Sequence, residues 1–219
     1  MKPVRIVIIA KAPVPGYAKT RLIPALGAEG AAALAQRMLQ HAVSIALESG
    51  LGPVELCAAP HPHDPAWADV ALPKGLRWSD QGAGDLGARM ARVAQRTLEG
   101  GESVLLIGTD CPQMHAHCLR EAADALRDHD ACLVPALDGG YVLLGLNQFH
   151  GSLFDCMPWS TTEVATETRR RLALIPWTVR LLPTLRDVDE PHDLAWLPKD
   201  WQAAGALSLP GWPTPTQRL

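Results

Sequence analysis

An α/β fold on a mostly parallel, mixed central sheet is what this chain of 219 residues predicts. Two patterns carry the prediction. Through Ala136, short apolar runs rich in β-branched residues alternate with longer helical stretches, the order of strand–helix units whose parallel strands need crossovers. The runs "ACLVPA" (131–136) and "GYVLLGL" (140–146) then follow each other across only "LDG", too short for a crossover, so an antiparallel piece joins the sheet.

The elements follow in order. Residues 3–10 form a continuous apolar run, a strand buried on both faces. Residues 27–50 are an alanine-rich helix with Leu34, Met38 and Ile45 on its apolar stripe and Gly50 at its end. Strands are expected at 53–59 and 76–80, then a helix over 85–100 with Asp85 as N-cap. "SVLLIG" (103–108) is the clearest buried strand, followed by an amphipathic helix at 117–128 and the strand pair at 131–146. A helix at 161–174, an extended stretch at 178–189 and a short helix at 191–197 complete the pattern. One domain is expected over 1–200, followed by a tail over 201–219 carrying Pro210, Pro213 and Pro215, irregular and lying on the surface.

Composition narrows the function classes. Apolar residues are 47% and charged residues 20%, with a net charge of −3, so no global basic field favours nucleic acid. No stretch reaches the ~20 apolar residues of a membrane span, and the first apolar run is too short for a signal peptide. Five scattered cysteines without a CxxC pair fit free thiols in a reducing cytoplasm.

Ligands of open α/β sheets bind beyond the carboxyl ends of the strands, and the unusual residues sit there. "KAPVPGYAKTRL" (11–22) follows the first strand. It is not a P-loop, because Ala18 rather than glycine precedes Lys19. Pro13, Pro15 and Gly16 make a stiff turn carrying Lys11, Lys19 and Arg21, cations suited to a pair of phosphates; the alternative is a solvated basic turn. "QGAGDLGARM" (81–90) places Gln81, Gly82, Gly84, Asp85, Gly87 and Arg89 after the third strand, for close approach to a nucleotide or simply for helix entry. Asp110 of "GTDCP" suits Mg²⁺ or Mn²⁺, or caps the next helix. Asp187 and Asp189, at i and i+2 in extended chain, would flank the same ion, unless Asp189 caps the helix starting at Pro191. Asp138, Gly139, Gly140 and Tyr141 read as a hairpin turn or a second-substrate pocket. Ser160 and Glu163 fit a capping box, and Trp159 beside them a sugar platform or a staple. Cys111, His115, His117 and Cys118 match no zinc spacing.

Taken together, "KAPVPGYAKTRL", "QGAGDLGARM", "GTDCP", "DGGYVLLGL" and "DVDEPHDL" resemble the bacterial DUF2064 proteins. These are glycosyltransferase-like members of the nucleotide-diphospho-sugar transferase (GT-A) superfamily, and the likeness spans residues 3–197 in order. The resemblance implies a three-layer α/β/α GT-A fold, a nucleotide diphosphate-sugar donor, a small-molecule acceptor and a divalent metal. Asp110 would be the metal carboxylate; since "GTDCP" has a single aspartate where such transferases carry DxD, Asp187 or Asp189 would complete the site. Lys11, Lys19 and Arg21 would neutralise the donor diphosphate, and Asp138 would be the general base toward an acceptor hydroxyl, with Gly139, Gly140, Tyr141 and Trp159 around it. "AKTRL" is also similar to the 2-phospholactate guanylyltransferases, with molybdenum-cofactor nucleotidyltransferases as more distant relatives. That branch implies a nucleoside triphosphate and attack at its α-phosphate instead, and a nucleotide-binding protein without catalysis is the other alternative.

Overall fold

The computed structural model describes residues 2–203; the proline-rich tail expected over 201–219 lies outside them from residue 204 onward. Seven strands form one sheet: β1 (Val4–Lys11), β2 (Val54–Ala59), β3 (Arg77–Asp80), β4 (Ser103–Ile107), β5 (Ala131–Pro135), β6 (Tyr141–Leu146) and β7 (Val179–Leu181). Their order across the sheet is β3-β2-β1-β4-β6-β5-β7. β6 is antiparallel to β4 and β5, and every other neighbouring pair is parallel. The short "LDG" connection thus makes the one reversal in an otherwise parallel sheet.

Alternation along each strand divides the core into two faces. Ile6, Ile8, Leu56, Leu105, Ile107, Cys132 and Val134 pack with Leu39, Val43, Leu119 and Leu126, from α1 (Ile23–Glu48) and α3 (Ala116–Asp128). Val7, Cys57, Val104, Leu106, Leu133 and Leu144 pack with Met90, Val93 and Leu172, from α2 (Leu86–Glu99) and α4 (Val164–Leu172). The result is three layers, α/β/α. A third apolar cluster joins Leu22, Leu34 and Met38 to Val188, Leu194 and Trp201. Trp201 stands on α5 (Lys199–Ala203), so the core continues past the expected boundary at residue 200.

Most expected elements lie within a few residues of their predicted ends, and the departures have local causes. Gly27, at φ 70 and ψ 169, breaks α1 near its start, so the continuous helix begins after it as the sequence suggests. The stretch 178–189 is a ladder strand only over Val179–Leu181, with one further parallel bridge between Ala136 and Leu185. Residues Pro191–Trp196 form 3-10 rather than α-helix. The capping box expected from Ser160 and Glu163 does not form. Ser160 has φ 64, Glu163 stands at the N-cap without a side-chain bond, and Thr161 Oγ1 instead accepts from Glu163 N at 3.3 Å.

A buried charge is tolerated only where it is paired. Glu55 on β2 is such a case: its carboxylate meets the guanidinium groups of Arg5 and Arg96 and accepts from Ser79 Oγ at 2.6 Å. Burial alone would raise its pKa, but Arg96, Ser79 and Arg5 together hold it below the usual glutamate range. All five cysteines are unpaired: Cys57, Cys111 and Cys132 are buried, Cys118 is half-buried and Cys156 is exposed. Among the described residues no helix is long and apolar enough to cross a membrane.

Candidate functional site

Because β1, β3, β4, β5 and β7 run parallel, the loops that follow them emerge along one edge of the sheet. They enclose a cleft of about 1020 Å³ lined by Lys11, Lys19, Arg21, Gln81, Arg89, Asp110, Asp138, Tyr141, Trp159, Arg186, Asp187 and Asp189, among others. The charged site residues singled out in the sequence therefore reach one cavity, whereas Pro13, Gly16, Gly82, Gly87 and Gly139 do not line it.

The opening loop is a tight turn. Tyr17 N and Ala18 N both donate to Val14 O, at 3.0 and 3.1 Å, and Lys19 then takes a left-handed conformation at φ 48. That turn sends the Lys19 side chain inward, where only 7% of it remains exposed. Its ammonium donates to Asp189 Oδ1 at 2.6 Å and to Val188 O at 2.6 Å, and lies 2.7 Å from Asp110 Oδ1. Burial works against the ammonium charge, but Asp110 and Asp189 outweigh it and hold the group above the ordinary lysine range. Lys19 is thus engaged by carboxylates, whereas Lys11 and Arg21 are exposed and form no ion pair among the described residues.

Opposite Lys19 lies a cluster of acids. Asp138, in the β5–β6 turn, and Asp187 and Asp189, beyond β7, each bring one carboxylate oxygen within 4.8 Å of the others. Burial, then the charges of Asp138, Asp189 and Asp110, push the Asp187 carboxyl up to about 7. The segment carrying Asp187 and Asp189 is fixed from both sides. Val188 N donates to Asp110 O at 2.8 Å, and Arg186 N donates to Gln113 Oε1 at 3.0 Å. Asp193 Oδ2 accepts from Asp189 N at 3.1 Å and from Glu190 N at 2.9 Å. Glu190, not Asp189, is the N-cap of the turn at Pro191, which leaves the Asp189 carboxylate facing Lys19.

On the β3 side, the glycine-rich loop is stapled in place. Gln81 is buried and uses its amide nitrogen on Ala10 O (2.8 Å) and Cys57 O (2.9 Å). Its Oε1 accepts from Arg89 Nη1 at 3.3 Å, and Arg89 Nε reaches Gly84 O at 2.9 Å. Arg92 donates to Gln81 O and, at 2.8 Å, to Ala83 O. Asp85 caps α2 by accepting from Ala88 N at 2.8 Å. Gly84 keeps its open φ of 103 at the cleft, while Gly82 is backed by Arg92, within 2.8 Å of where a Cβ would stand. Gly87 is a packing residue: a Cβ there would stand 2.6 Å from Trp159 Nε1.

On the β6 side, Gly139 packs rather than facing the cleft, because a Cβ there would stand 2.0 Å from Thr162 O. Asp138 Oδ1 accepts from Gly140 N at 2.7 Å, which leaves the rest of the carboxylate free toward Asp187. Tyr141 lies edge-on to Trp159, ring centroids 6.4 Å apart, and burial raises its phenol above the ordinary range. The Trp159 indole N–H is buried and has no acceptor among the described residues. The cleft also contains residues that the sequence reading passed over. Arg186 lies over Trp196 with its guanidinium carbon 4.5 Å from the ring centroid, and Tyr17 is 60% exposed at the mouth. Asp193 was legible in principle, since Pro191 at the helix start followed by an acid two residues on is a capping pattern.

The chain is similar to known proteins in sequence and fold. The chain is 29% identical over 184 residues, 83% of its length and 82% of the relative's, to a phosphoenolpyruvate guanylyltransferase of Roseiflexus castenholzii. A crystal structure of a candidate nucleotide-diphospho-sugar transferase from Desulfovibrio desulfuricans superposes with a TM-score of 0.82 at 27% identity, covering 94% of this chain and 90% of that one. Rv0371c of Mycobacterium tuberculosis, in a complex with manganese, shares the fold at a TM-score of 0.50 and 18% identity, over 90% of this chain and 98% of that one. Residues 42–161, more than half of the sequence, match the family described as "Uncharacterized protein conserved in bacteria (DUF2064)". The chain belongs to the DUF2064 family, on a three-layer fold of the nucleotide-diphospho-sugar transferase kind.

Proposed function

We propose that the protein is a metal-dependent nucleotidyltransferase. An oxyanion of a small phosphorylated acceptor attacks the α-phosphorus of a nucleoside triphosphate, the bond from that phosphorus to the β-phosphate oxygen breaks, and pyrophosphate leaves. The observation that carries this reading is the place of Asp138, clustered with Asp187 and Asp189 instead of standing apart as a base. Transfer of a sugar to a hydroxyl needs a base to take the proton, whereas a phosphate oxyanion is already ionised near neutral pH and needs none. Support also comes from the guanylyltransferase relative.

The acidic cluster fits a hard divalent cation such as Mg²⁺ or Mn²⁺, which takes carboxylate oxygens. Burial and then the like charges of neighbouring aspartates push Asp187 up to about 7, and the second of these is the kind of cost that such an ion relieves. The manganese complex of Rv0371c supports the same choice. Asp138, Asp187 and Asp189 would hold the ion, with Asp110 beside them. A cation there supplies charge neutralisation at the phosphates. Lys11 and Arg21, without an ion pair among the described residues, are cations suited to the triphosphate, and Lys19 keeps Asp110 and Asp189 in place. The stapled loop at 81–85 faces the base and ribose. Tyr141 and Trp159 line the acceptor side.

Sugar transfer is the second reading, favoured by the structural likeness to the D. desulfuricans protein. It would return Asp138 to the role of base. A thermal-shift panel with Mn²⁺ separates the two. A ligand at a hundred times its Kd adds about 2.7 kcal/mol to the folded state, worth a rise of roughly 5–10 °C in a protein of this size. Nucleoside triphosphates are expected to give the largest rise. A larger rise with nucleotide diphosphate-sugars favours the second reading, and no rise with either class removes both.

A further inference from the structure

We propose that Arg186 is a binding residue for an anionic group, carboxylate or phosphate, on the second substrate, so that the acceptor is a small acid with an oxyanion besides the one that reacts. The inference rests on the nucleotidyltransferase reading above and assigns a residue that reading leaves idle.

Three observations support it. First, the Arg186 side chain is 26% exposed and lines the cleft, yet among the described residues its guanidinium makes no hydrogen bond. Its one ion pair, to Asp193 Oδ1, is 3.7 Å long. The other Asp193 oxygen already accepts two backbone N–H groups. Five donors on a partly buried guanidinium are rarely left without acceptors unless a ligand supplies them.

Second, the group is held still. Its guanidinium carbon lies over the Trp196 ring, 4.5 Å from the centroid, and its backbone is fixed through Gln113 and through Cys111 Sγ, 3.3 Å from Arg186 O. A guanidinium with a covered face and an open edge is prepared for bidentate binding of a carboxylate or phosphate. Third, topology places its backbone on the acceptor side. Leu185 pairs with Ala136 at the end of β5, so Arg186 starts beside the Asp138 turn, while the 81–85 loop follows β3 at the opposite end of the sheet.

The test uses the full chain with Mn²⁺ and compares wild type with Arg186→Gln, which keeps much of the stem over Trp196, and Arg186→Lys, which keeps the charge without the fork. Calorimetry would measure GTP and CTP first. With nucleotide bound, it would then measure 2-phosphoglycolate, glycerol phosphate, glycolate and glycerol. We expect Arg186→Gln to bind phosphoglycolate about ten- to a hundredfold more weakly than wild type, with triphosphate affinity within about twofold. Arg186→Lys should recover part of the loss. Weakening that follows glycolate assigns the fork to the carboxylate, whereas weakening that follows glycerol phosphate alone puts the fork on the reacting phosphate and overturns the claim of a second oxyanion. The proposal is overturned if phosphoglycolate binds both proteins equally, if it binds neither while the triphosphate binds, or if Arg186→Gln loses triphosphate affinity instead. Failure of wild type to bind any triphosphate would overturn the nucleotidyltransferase reading as well.

Discussion

Asp187→Asn is expected to abolish turnover, by a thousandfold or more, while making the metal-free protein more stable at pH 8. The two effects have one cause. Burial and three neighbouring aspartates raise the Asp187 carboxyl to about 7, so the folded state binds its proton more tightly than the unfolded chain does. A group with a raised carboxyl pKa favours the fold while protonated, and that contribution is lost as pH rises from about 4 through 7. Wild type without metal should therefore melt higher at pH 5 than at pH 8 as far as this group is concerned, and Asn should flatten the difference. Since Asp187 is only half-buried, solvent screening reduces the gain to about 1–2 kcal/mol at pH 8, a few degrees in Tm. Differential scanning calorimetry across pH, with and without Mn²⁺, measures it. A variant that is both inactive and less stable at pH 8 would make Asp187 a structural acid.

Lys19→Met is expected to destabilise the metal-free protein by about 2 kcal/mol and to tighten Mn²⁺ binding in the absence of nucleotide. Met is close to Lys in volume, so the change removes the charge more than the packing. The ammonium is the counter-ion of Asp110 and Asp189, and without it those acids and Asp187 repel one another. Loss of a partner from a fully buried pair costs more, about 3–5 kcal/mol. Here the carboxylates are 46% and 37% exposed and recover some hydration. Saturating Mn²⁺ should restore most of the lost stability. If the variant is as stable as wild type and loses only nucleotide affinity, Lys19 is a phosphate ligand and its ion pairs are incidental.

Much of the fold was legible because parallel strands buried on both faces leave a strong mark. "RIVII" and "SVLLI" carry no alternation, and each is followed by a turn rich in glycine, proline or charge. The same regularity located the site, since loops after parallel strands converge on one edge whatever their detailed shape. What the sequence hid was partnership. Lys19 reads as a free cation on a basic turn, and only the left-handed backbone at that residue turns it onto Asp110 and Asp189. Asp138 reads as a hairpin residue. Its place beside Asp187 and Asp189 depends on β5 lying next to β7, a pairing between segments far apart in the chain. Gly87 and Gly139 look like ligand-facing glycines by composition, yet their missing side chains make room for Trp159 and the Thr162 backbone. Arg186 lay one residue before a conspicuous acid pair, and nothing local distinguishes an open guanidinium from a paired one.

The central claim is that the bond broken lies at the α-phosphorus of a triphosphate. The direct measurement follows label from nucleoside triphosphates carrying ³²P at the α or the γ position, incubated with the protein, Mn²⁺ and a deproteinised small-molecule fraction as acceptor source. The account predicts that α-label enters a new acidic product and γ-label leaves as pyrophosphate, with neither seen for Asp187→Asn. If no triphosphate gives up its α-label while radiolabelled sugar from a nucleotide diphosphate-sugar is transferred under the same conditions, the nucleotidyltransferase account is wrong.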